Sequence, residues 1–376
     1  MCNALAIEPV ITTTSSSAPA ELADLVEYCH GDATATPMGR QRAADGHPAP
    51  YRVKFFELGN EQYNTQFVEQ VAAMEERATV LGLNGSLVYI FPENGGLSDA
   101  DTDAAKKLGI DSSIAADIHV GPGGAVDVAT ALWKRRADFG ASAVNLETNA
   151  GTHHQERALQ EAADLNAFFA APAEVQRRLL VRTASFCTSR SGHFDAFDQG
   201  ISFFLPNMTW LQPPGHVHAM VAASFQPNAL STRVGYAYAP LQQQQARRVI
   251  DDAKDGGQPQ AVVGRASTQG LLSVSAQASD AGDAFVVRVV NPLDSPKGPN
   301  GTLPWQMHVR LPNSTRCSAC DLTTLAAEDP KQANPSWAPD RISPKRVHPC
   351  ALLGGRMAEL PLVPFSYNVL EFTGCA

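Results

Sequence analysis

The spacing of short apolar runs is the feature that most constrains the fold of this chain. Four such runs end at Glu61, Phe91, His119 and Glu147, at intervals of 30, 28 and 28 residues, with helix-like segments between them. A short apolar run is typical of a strand that is covered on both faces. Strands and helices that alternate at this period are typical of the βαβ units of an α/β barrel. The sequence therefore predicts a parallel sheet of the barrel type.

Six runs in the first 230 residues are predicted as barrel strands. They are residues 6–13, 53–59, 86–91, 115–119, 143–147 and 200–205. The predicted helices are residues 20–29, 62–81, 99–108, 124–139, 154–170, 173–183 and 216–224. The polar segment 31–50 is predicted as a long loop at a barrel rim. Because a closed (β/α)8 barrel needs eight strands, the sequence predicts an incomplete TIM-type barrel that lacks two strands on the N-terminal side.

The pattern changes from about Ser231 onward. Short runs with alternating apolar residues, such as 270–276 and 284–290, are separated there by clusters of Gly, Asp, Pro and Asn. This pattern is typical of a small antiparallel β-sandwich. We therefore expect two domains, a partial (β/α)8 catalytic barrel over residues 1–230 and a C-terminal β-sandwich over residues 231–376.

Charge and hydropathy exclude several classes of partner. The net charge is −9 and the isoelectric point is near 5.6, which argues against nucleic acid or an anionic membrane as the binding partner. No apolar run approaches the roughly 20 residues that span a bilayer. The first residues, Met1 to Ile7, lack the basic end and long apolar core of a signal peptide, so secreted and cytoplasmic locations both stay open.

Polar residues stand at three of the predicted strand ends. Glu61, His119 and Glu147 would open onto one face of a barrel, because the carboxyl ends of parallel strands meet at one edge. Two carboxyl groups at one edge suit general acid–base and nucleophilic chemistry. A single glutamate at a strand end is more often a solvated rim residue or a helix cap, and His119 could be a hydrogen-bonded core residue.

A sequence resemblance narrows these alternatives. The segment Phe56-Glu57-Leu58-Gly59-Asn60-Glu61 resembles the acid/base motif of clan A glycoside hydrolases. Together with Leu22–Asp32, with Arg42-Ala43 and with Asp45–Pro48, it resembles glycoside hydrolase family 51, the α-L-arabinofuranosidases. The resemblance extends over most of the chain and includes the C-terminal pattern Pro364–Leu370.

The resemblance implies a fold, a reaction and four site residues. The fold is a (β/α)8 barrel with a β-sandwich, here from the third strand onward. The reaction releases terminal α-L-arabinofuranosyl groups with retention of configuration, without a metal or an organic cofactor. Glu61 matches the acid/base, Glu147 the nucleophile, Asn60 the contact to the sugar hydroxyl beside the reacting carbon, and His119 a further substrate-binding residue. The implied partners are arabinose-containing oligo- or polysaccharides, such as arabinan or arabinoxylan side chains.

Two rival interpretations stay open at the level of sequence. Another clan A specificity, such as a xylosidase or a glucuronidase, would keep both glutamates. A truncated, inactive relative would bind carbohydrate or a protein partner instead, or the chain could come from an incomplete gene sequence. Open sheet edges at residues 6–13 and 200–205 would template association, so we expect the chain expressed alone to be poorly soluble, oligomeric or inactive.

Four cysteines and four asparagine triplets complete the candidate features. Cys317, Cys320, Cys350 and Cys375 could bind zinc, but they lack a second short-spaced pair, which favours disulfides or free thiols. Asn84, Asn207, Asn300 and Asn313 each begin a glycosylation triplet. These triplets matter only if the protein is secreted.

Overall fold

The structure is a computed structural model. It describes residues 8–92, 97–117, 142–146, 152–171, 179–181, 200–234, 272–293, 306–312, 315–347, 350 and 352–376. The chain divides into two compact units. Unit 1 consists of Met1–Asn149 and Pro172–Ser185, and unit 2 consists of Ala150–Ala171 and Phe186–Ala376. The division into domains at residue 230 stays a prediction.

Unit 1 is built on a parallel sheet whose strands follow one another in chain order. The strands are β1 Val10–Thr13, β2 Phe55–Leu58, β3 Val88–Phe91, β4 Ile114–Asp117, β5 Ser142–Val144 and β6 Leu179–Val181. Every neighbouring pair is parallel. Among the described residues, β1 and β6 are the two ends of the sheet. Helices separate the strands from β1 to β4, which confirms the predicted βα alternation over that part. The predicted helix 124–139 lies outside the described residues, and closure into a barrel and the number of missing strands stay predictions.

Four helices of unit 1 are described, and two of them begin at a residue whose side chain caps the helix. The four are α1 Pro19–His30, α2 Pro37–Ala44, α3 Phe67–Val80 and α4 Asp99–Leu108, and a 3-10 turn at Asp111–Ser113 precedes β4. Ser98 caps α4 by accepting a hydrogen bond from the Asp101 N–H at 3.1 Å, and Gly109 ends it in the left-handed conformation. The predicted helix 99–108 is confirmed residue for residue. The segment 31–50 was predicted as loop throughout, which is wrong, because Thr36 caps the helix α2 within it.

The two faces of the parallel sheet differ in what covers them. One face packs Phe56, Tyr89 and Phe91 against apolar residues of α1, α3 and α4, such as Val26 and Met74. The opposite face carries a second, smaller cluster, made of Phe55, Val88, Ile90, Ala115 and Val144. Helices therefore cover one face, while the other face brings side chains of all the neighbouring strands from β2 to β5 together.

Two predictions for the end of unit 1 and the start of unit 2 are wrong. The sixth strand of the parallel sheet is Leu179–Val181, which lies inside the predicted helix 173–183. The predicted barrel strand 200–205 instead forms a hairpin, in which β7 Ser202–Leu205 pairs antiparallel with β8 Met208–Leu211. Pro206 and Asn207, two residue types that favour turns, follow β7 directly and return the chain to β8. Short apolar runs such as 179–181 do not distinguish strand from helix by periodicity.

The described residues of unit 2 form two antiparallel sheets, the hairpin and two helices. The helices are α5 Gln155–Phe169 and α6 Pro213–Ala223. The strands are β9 Asn228–Leu230, β10 Ser273–Ala278, β11 Ala284–Asn291, β12 Gln306–Arg310, β13 Cys317–Ala326, β14 Lys345–Val347, β15 Leu352–Leu353, β16 Met357–Pro361 and β17 Ser366–Cys375. The larger sheet has the order β14-β13-β17-β11-β10-β9 and the smaller one β12-β16-β15.

The two sheets of unit 2 share one apolar core, as a β-sandwich requires. Val287, Leu322 and Phe372 of the larger sheet lie in the same cluster as Val309 and Ala358 of the smaller sheet. Disulfides join two pairs of cysteines in this cluster, Cys317–Cys375 and Cys320–Cys350. The zinc alternative for these four residues is therefore wrong.

The described residues contain neither a membrane-spanning helix nor a metal-binding cluster. None of their helices combines the length and the apolar character needed to cross a membrane. Within the same residues, no group of three or more His, Cys, Asp and Glu side chains is arranged to hold a metal ion.

Candidate active site

The predicted acid/base segment leaves the parallel sheet at a glycine that no other residue could replace without strain. Gly59 follows β2 directly and has a φ of +129°. A Cβ at this position would lie 2.9 Å from Pro92 Cγ and 3.2 Å from Ser15 Cβ. Ser15 lies just after β1 and Pro92 just after β3, so the backbone of residue 59 passes between the ends of its two neighbours. The fit requires glycine.

Asn60 and Glu61 lie beyond this glycine, with exposed side chains, at the carboxyl edge of the sheet. Glu61 has a φ of +53°, in the left-handed region that residues other than glycine seldom adopt. Such a conformation costs about 1–3 kcal/mol and persists only where surrounding contacts hold it. The contacts of the neighbouring turn supply that restraint.

A buried amide pair fixes the turn that carries Asn60 and Glu61. Asn64 Nδ2 donates to the carbonyl oxygen of Leu58 at 2.7 Å and to Gln70 Oε1 at 2.7 Å. Gln70 Nε2 in turn donates to the carbonyl oxygens of Ser15 at 3.0 Å and Ser17 at 2.8 Å. Both amides are buried. The segments that follow β1 and β2 are thereby tied to each other and to the first turns of α3.

A buried carboxylate lies within β2 itself. Glu57, only 3% exposed, accepts a hydrogen bond at Oε2 from Thr12 Oγ1 of β1 at 2.6 Å. The adjacent Thr13 Oγ1 donates to the Glu57 carbonyl oxygen at 3.2 Å. Glu57 pairs in register with Ile90 of β3, so its side chain lies on the face opposite the one that the described helices cover. That face therefore carries a carboxylate four residues before Glu61.

A second buried carboxylate holds the end of β5. Asp117 ends β4, is 1% exposed and pairs in register with Val144. Its Oδ1 accepts a hydrogen bond from the Leu146 N–H at 3.0 Å. Leu146 immediately precedes Glu147, so Asp117 holds the backbone one residue before the predicted nucleophile. Asn145, which lies between Val144 and Leu146, is fully buried.

An aromatic side chain lies close to the same edge. Tyr63 packs edge-on against Phe91, the last residue of β3, with ring centroids 5.2 Å apart. Its hydroxyl donates to the Asp101 carboxylate of α4 and accepts from the Ser98 N–H at 3.3 Å. The ring is 41% exposed. Tyr63 thus places a fixed, partly exposed aromatic surface two residues after Glu61.

The predicted site residues divide into two that the structure describes and two that it does not. Asn60 and Glu61 lie at the carboxyl edge of the sheet, where they were expected. His119 and Glu147 lie outside the described residues, two and three positions in sequence after the last residues of β4 and β5. The distance between the two glutamate carboxyl groups stays a prediction.

Several residues that shape this edge were missed from sequence. Asn64, Gln70 and Asp117 act through contacts with residues 6 to 55 positions away, which no local pattern reveals. Asp117 could have been recognised from sequence, because it is a charged residue in an otherwise apolar run, two residues before His119. Glu57 could have been recognised in the same way, as a charged residue inside the apolar run of β2.

Comparisons with known proteins agree with this arrangement. The family model described as the α-L-arabinofuranosidase 1 domain matches residues 4–105, a segment that includes Asn60 and Glu61. A search of curated proteins found no match.

Solved structures match the chain over nearly its whole length. An arabinose-bound α-L-arabinofuranosidase named MgGH51 matches with a TM-score of 0.66 and 15% identity over 99% of this chain and 56% of its own. The α-L-arabinofuranosidase of Thermotoga maritima in complex with arabinose matches with a TM-score of 0.66 and 16% identity over 98% of this chain and 76% of its own. The family 51 arabinofuranosidase of Xanthomonas axonopodis pv. citri matches with a TM-score of 0.63 and 15% identity, covering 99% of this chain and 77% of its own.

The chain spans only about half the length of the first of these proteins and about three quarters of the other two. At these identities the structural likeness concerns the fold. The family match adds a sequence likeness over residues 4–105, where the predicted acid/base lies. In sequence over this segment and in fold over nearly all its length, the chain is similar to the α-L-arabinofuranosidases of glycoside hydrolase family 51.

Proposed function

We propose that the protein is a retaining glycoside hydrolase that releases terminal α-L-arabinofuranosyl residues from arabinan or arabinoxylan side chains. Glu61 is the acid/base and Glu147 the nucleophile, while Asn60 and His119 bind the sugar. The observation that carries the proposal is the position of the Gly59-Asn60-Glu61 turn. It projects from the carboxyl end of a parallel strand, inside the segment that the arabinofuranosidase family model matches.

The proposed reaction has two steps that use the same two carboxyl groups. The Glu147 carboxylate attacks the anomeric carbon while protonated Glu61 gives its proton to the leaving oxygen. Glu61, now a carboxylate, then takes a proton from water, and the resulting hydroxide displaces Glu147 from the sugar. Attack from opposite faces in the two steps retains the configuration.

The distance that the reaction requires between the two carboxyl groups sets a condition on the curvature of the unit 1 sheet. Retention needs the two carboxyl groups about 5–5.5 Å apart. β2 and β5 are separated by β3 and β4, and three strand spacings in a flat sheet amount to roughly 14 Å. The sheet must therefore curve so that the two strand ends face each other across the sugar. We propose that it belongs to a (β/α)8 barrel whose interior is the face that carries Glu57 and Asp117.

The proposed roles are tested by comparing two kinds of substrate. We expect Glu61→Ala to lower turnover of natural arabinosides by about 10²- to 10⁴-fold, because the leaving oxygen then departs without a proton. Nitrophenyl arabinofuranoside has a good leaving group and should lose much less. Glu147→Ala should abolish turnover of both substrates, because no covalent intermediate can form.

The matched control is Glu76→Ala, an exposed glutamate on α3 whose removal should leave both activities unchanged. Equal losses on the two substrates for Glu61→Ala would contradict its role as acid. A wild-type chain that hydrolyses xylosides or glucuronides in preference to arabinosides would keep the mechanism and overturn the specificity.

A further inference from the structure

Two asparagines among the described residues begin glycosylation triplets in exposed turns. Asn84-Gly85-Ser86 lies in unit 1, and Asn207-Met208-Thr209 lies in unit 2. Asn-x-Ser/Thr, with x other than proline, is the acceptor sequence for N-linked glycans. A glycan added to such a site survives folding only if the asparagine stays outside the core.

The first triplet occupies a well-fixed turn between α3 and β3. The Ser86 N–H donates to the Leu83 carbonyl oxygen at 2.9 Å, and the Gly85 N–H donates to Glu75 Oε1 at 2.7 Å. Asn84, Gly85 and Ser86 are all exposed. A Cβ added at Gly85 would meet no atom within 4 Å, so the space beside Asn84 is open.

The second triplet occupies the tip of the β7–β8 hairpin. Leu205 pairs with Met208, so Asn207 lies in the two-residue turn. Asn207 and Thr209 are exposed, and Thr209 pairs across the hairpin with Phe204, which is 44% exposed. The opposite face of the hairpin buries Phe203 against Trp210. Thr209 of the triplet therefore lies on the solvent-facing side of the hairpin together with the exposed Phe204 ring.

The disulfides of unit 2 independently indicate the compartment in which such modification occurs. Cys317–Cys375 and Cys320–Cys350 both lie in the core of the sandwich. Disulfides form and persist in oxidising compartments and are rare where thiol reductants dominate. The endoplasmic reticulum combines an oxidising lumen with the transfer of N-linked glycans.

We propose that the protein folds in an oxidising secretory compartment and carries N-linked glycans on Asn84 and Asn207. The donor is an oligosaccharide linked to a lipid pyrophosphate. The Asn side-chain nitrogen forms a bond to C1 of the first sugar, the bond from C1 to the pyrophosphate oxygen breaks, and the lipid pyrophosphate leaves with the electron pair. The nitrogen loses one proton to the transferase. This modification is independent of the proposed catalytic roles.

The test is to secrete the full chain from a eukaryotic host behind a cleavable leader and to map its peptides. Peptide N-glycosidase digestion in heavy-oxygen water should convert Asn84 and Asn207 to labelled aspartates. Ser86→Ala and Thr209→Ala should each remove one glycan-sized mass increment, whereas Ser86→Thr and Thr209→Ser should keep it. Thiol labelling of the denatured, unreduced protein should spare the four cysteines of the sandwich.

Three results would overturn the proposal. The first is unmodified Asn84 and Asn207 in the secreted protein, even if other asparagines carry glycans. The second is alkylation of the four cysteines without prior reduction. The third is a failure of secretion while translation with microsomes also leaves both asparagines unglycosylated.

Discussion

A fully buried arginine of unit 1, Arg42, and one of unit 2, Arg288, have different surroundings. Unit 1 holds a fully buried guanidinium outside its sheet, where Arg42 of α2 donates to four backbone carbonyl oxygens at 2.7–3.0 Å. Unit 2 holds one within its larger sheet, where Arg288 donates to Gln277 Oε1 at 2.6 Å and to the Ser224 carbonyl oxygen at 2.8 Å. The Arg288 guanidinium also lies 5.0 Å from the centre of the Phe169 ring.

The difference follows from how each sheet is connected. In unit 1 the helices return the chain from the carboxyl edge to the amino edge, and the segment that Arg42 fixes lies on that return path between α1 and β2. The carboxyl edge remains available for exposed polar residues such as Glu61. In unit 2 the smaller sheet covers one face of the larger sheet and α5 contacts the other. A polar side chain within that sheet must therefore find its partners inside.

The largest expected change in the free energy of unfolding follows from removing a disulfide. Among the described residues, disulfides occur only in unit 2. Cys320→Ser with Cys350→Ser opens a 30-residue connection and should lower the free energy of unfolding of unit 2 by about 3–4 kcal/mol. Hydrogen exchange followed by peptide mass spectrometry should show faster exchange in β10, β11 and β17 and unchanged exchange in β2 and β3. Cys29→Ala, at a buried free thiol of unit 1, is the control. Equal acceleration in both units would show that they unfold together.

The second expected effect concerns the buried arginines. Arg42→Ala and Arg288→Ala should each lower the free energy of unfolding by about 3 kcal/mol, because buried oxygens lose charged donors. The loss for Arg42→Ala should be confined to unit 1 and that for Arg288→Ala to unit 2, measured by the same exchange experiment. Arg42→Lys should recover little, because an ammonium cannot reach four carbonyls that a planar guanidinium contacts. Full recovery by lysine would mean that charge alone matters at this position.

The third prediction separates stability from activity at the carboxyl edge. Asn64→Ala should cost about 1–2 kcal/mol of stability by removing two buried hydrogen bonds. It should also lower kcat more than it raises KM, because Glu61 loses its restraint. Asn166→Ala is the matched control in unit 2, since Asn166 is also buried and accepts from Ser275 Oγ at 2.7 Å. An equal loss of kcat in the control would show that destabilisation alone explains the effect.

The smallest expected effect is a dependence of folding stability on pH, which we expect in both units. Burial lowers the pKa of His30 in unit 1 and of His216 in unit 2 below the ordinary value of 6.5. Since protonation is easier in the unfolded chain, each histidine should make the folded unit less stable as pH falls below 6.5. His30→Gln and His216→Gln should each flatten that decline in its own unit, measured by denaturant unfolding at several pH values. An unchanged slope would show that the histidine is protonated equally in both states.

Local signals predicted several elements well. Helix α4 has a capping serine, acidic residues in its first turn and a glycine after its last residue, and its bounds were predicted correctly. The strands β2 and β3 were also predicted correctly, because both are short, mostly apolar runs that end before turn-forming residues. Asn60 and Glu61 were placed correctly at a strand end for the same reason.

Local sequence patterns gave wrong predictions where the same pattern occurs in two different strand pairings. The run 200–205 and the run 179–181 are both short and apolar, yet only the second joins the parallel sheet. The choice depends on which neighbouring strand has a free edge. That neighbour is β5 for the run 179–181 and β8 for the run 200–205. Periodicity carries no information about the partner.

The sequence by itself determined the type of most elements and the residues that follow each strand, because apolar periodicity, caps and turn residues act within a few positions. Only the tertiary structure decided which strands pair, which of three possible pairings the four cysteines of the sandwich adopt, and which buried groups hold the carboxyl edge. Contacts such as Thr12 with Glu57 and Asp117 with Leu146 join residues 45 and 29 positions apart. Such contacts form only when burial of the whole sheet excludes water from both partners, and no local signal encodes that condition.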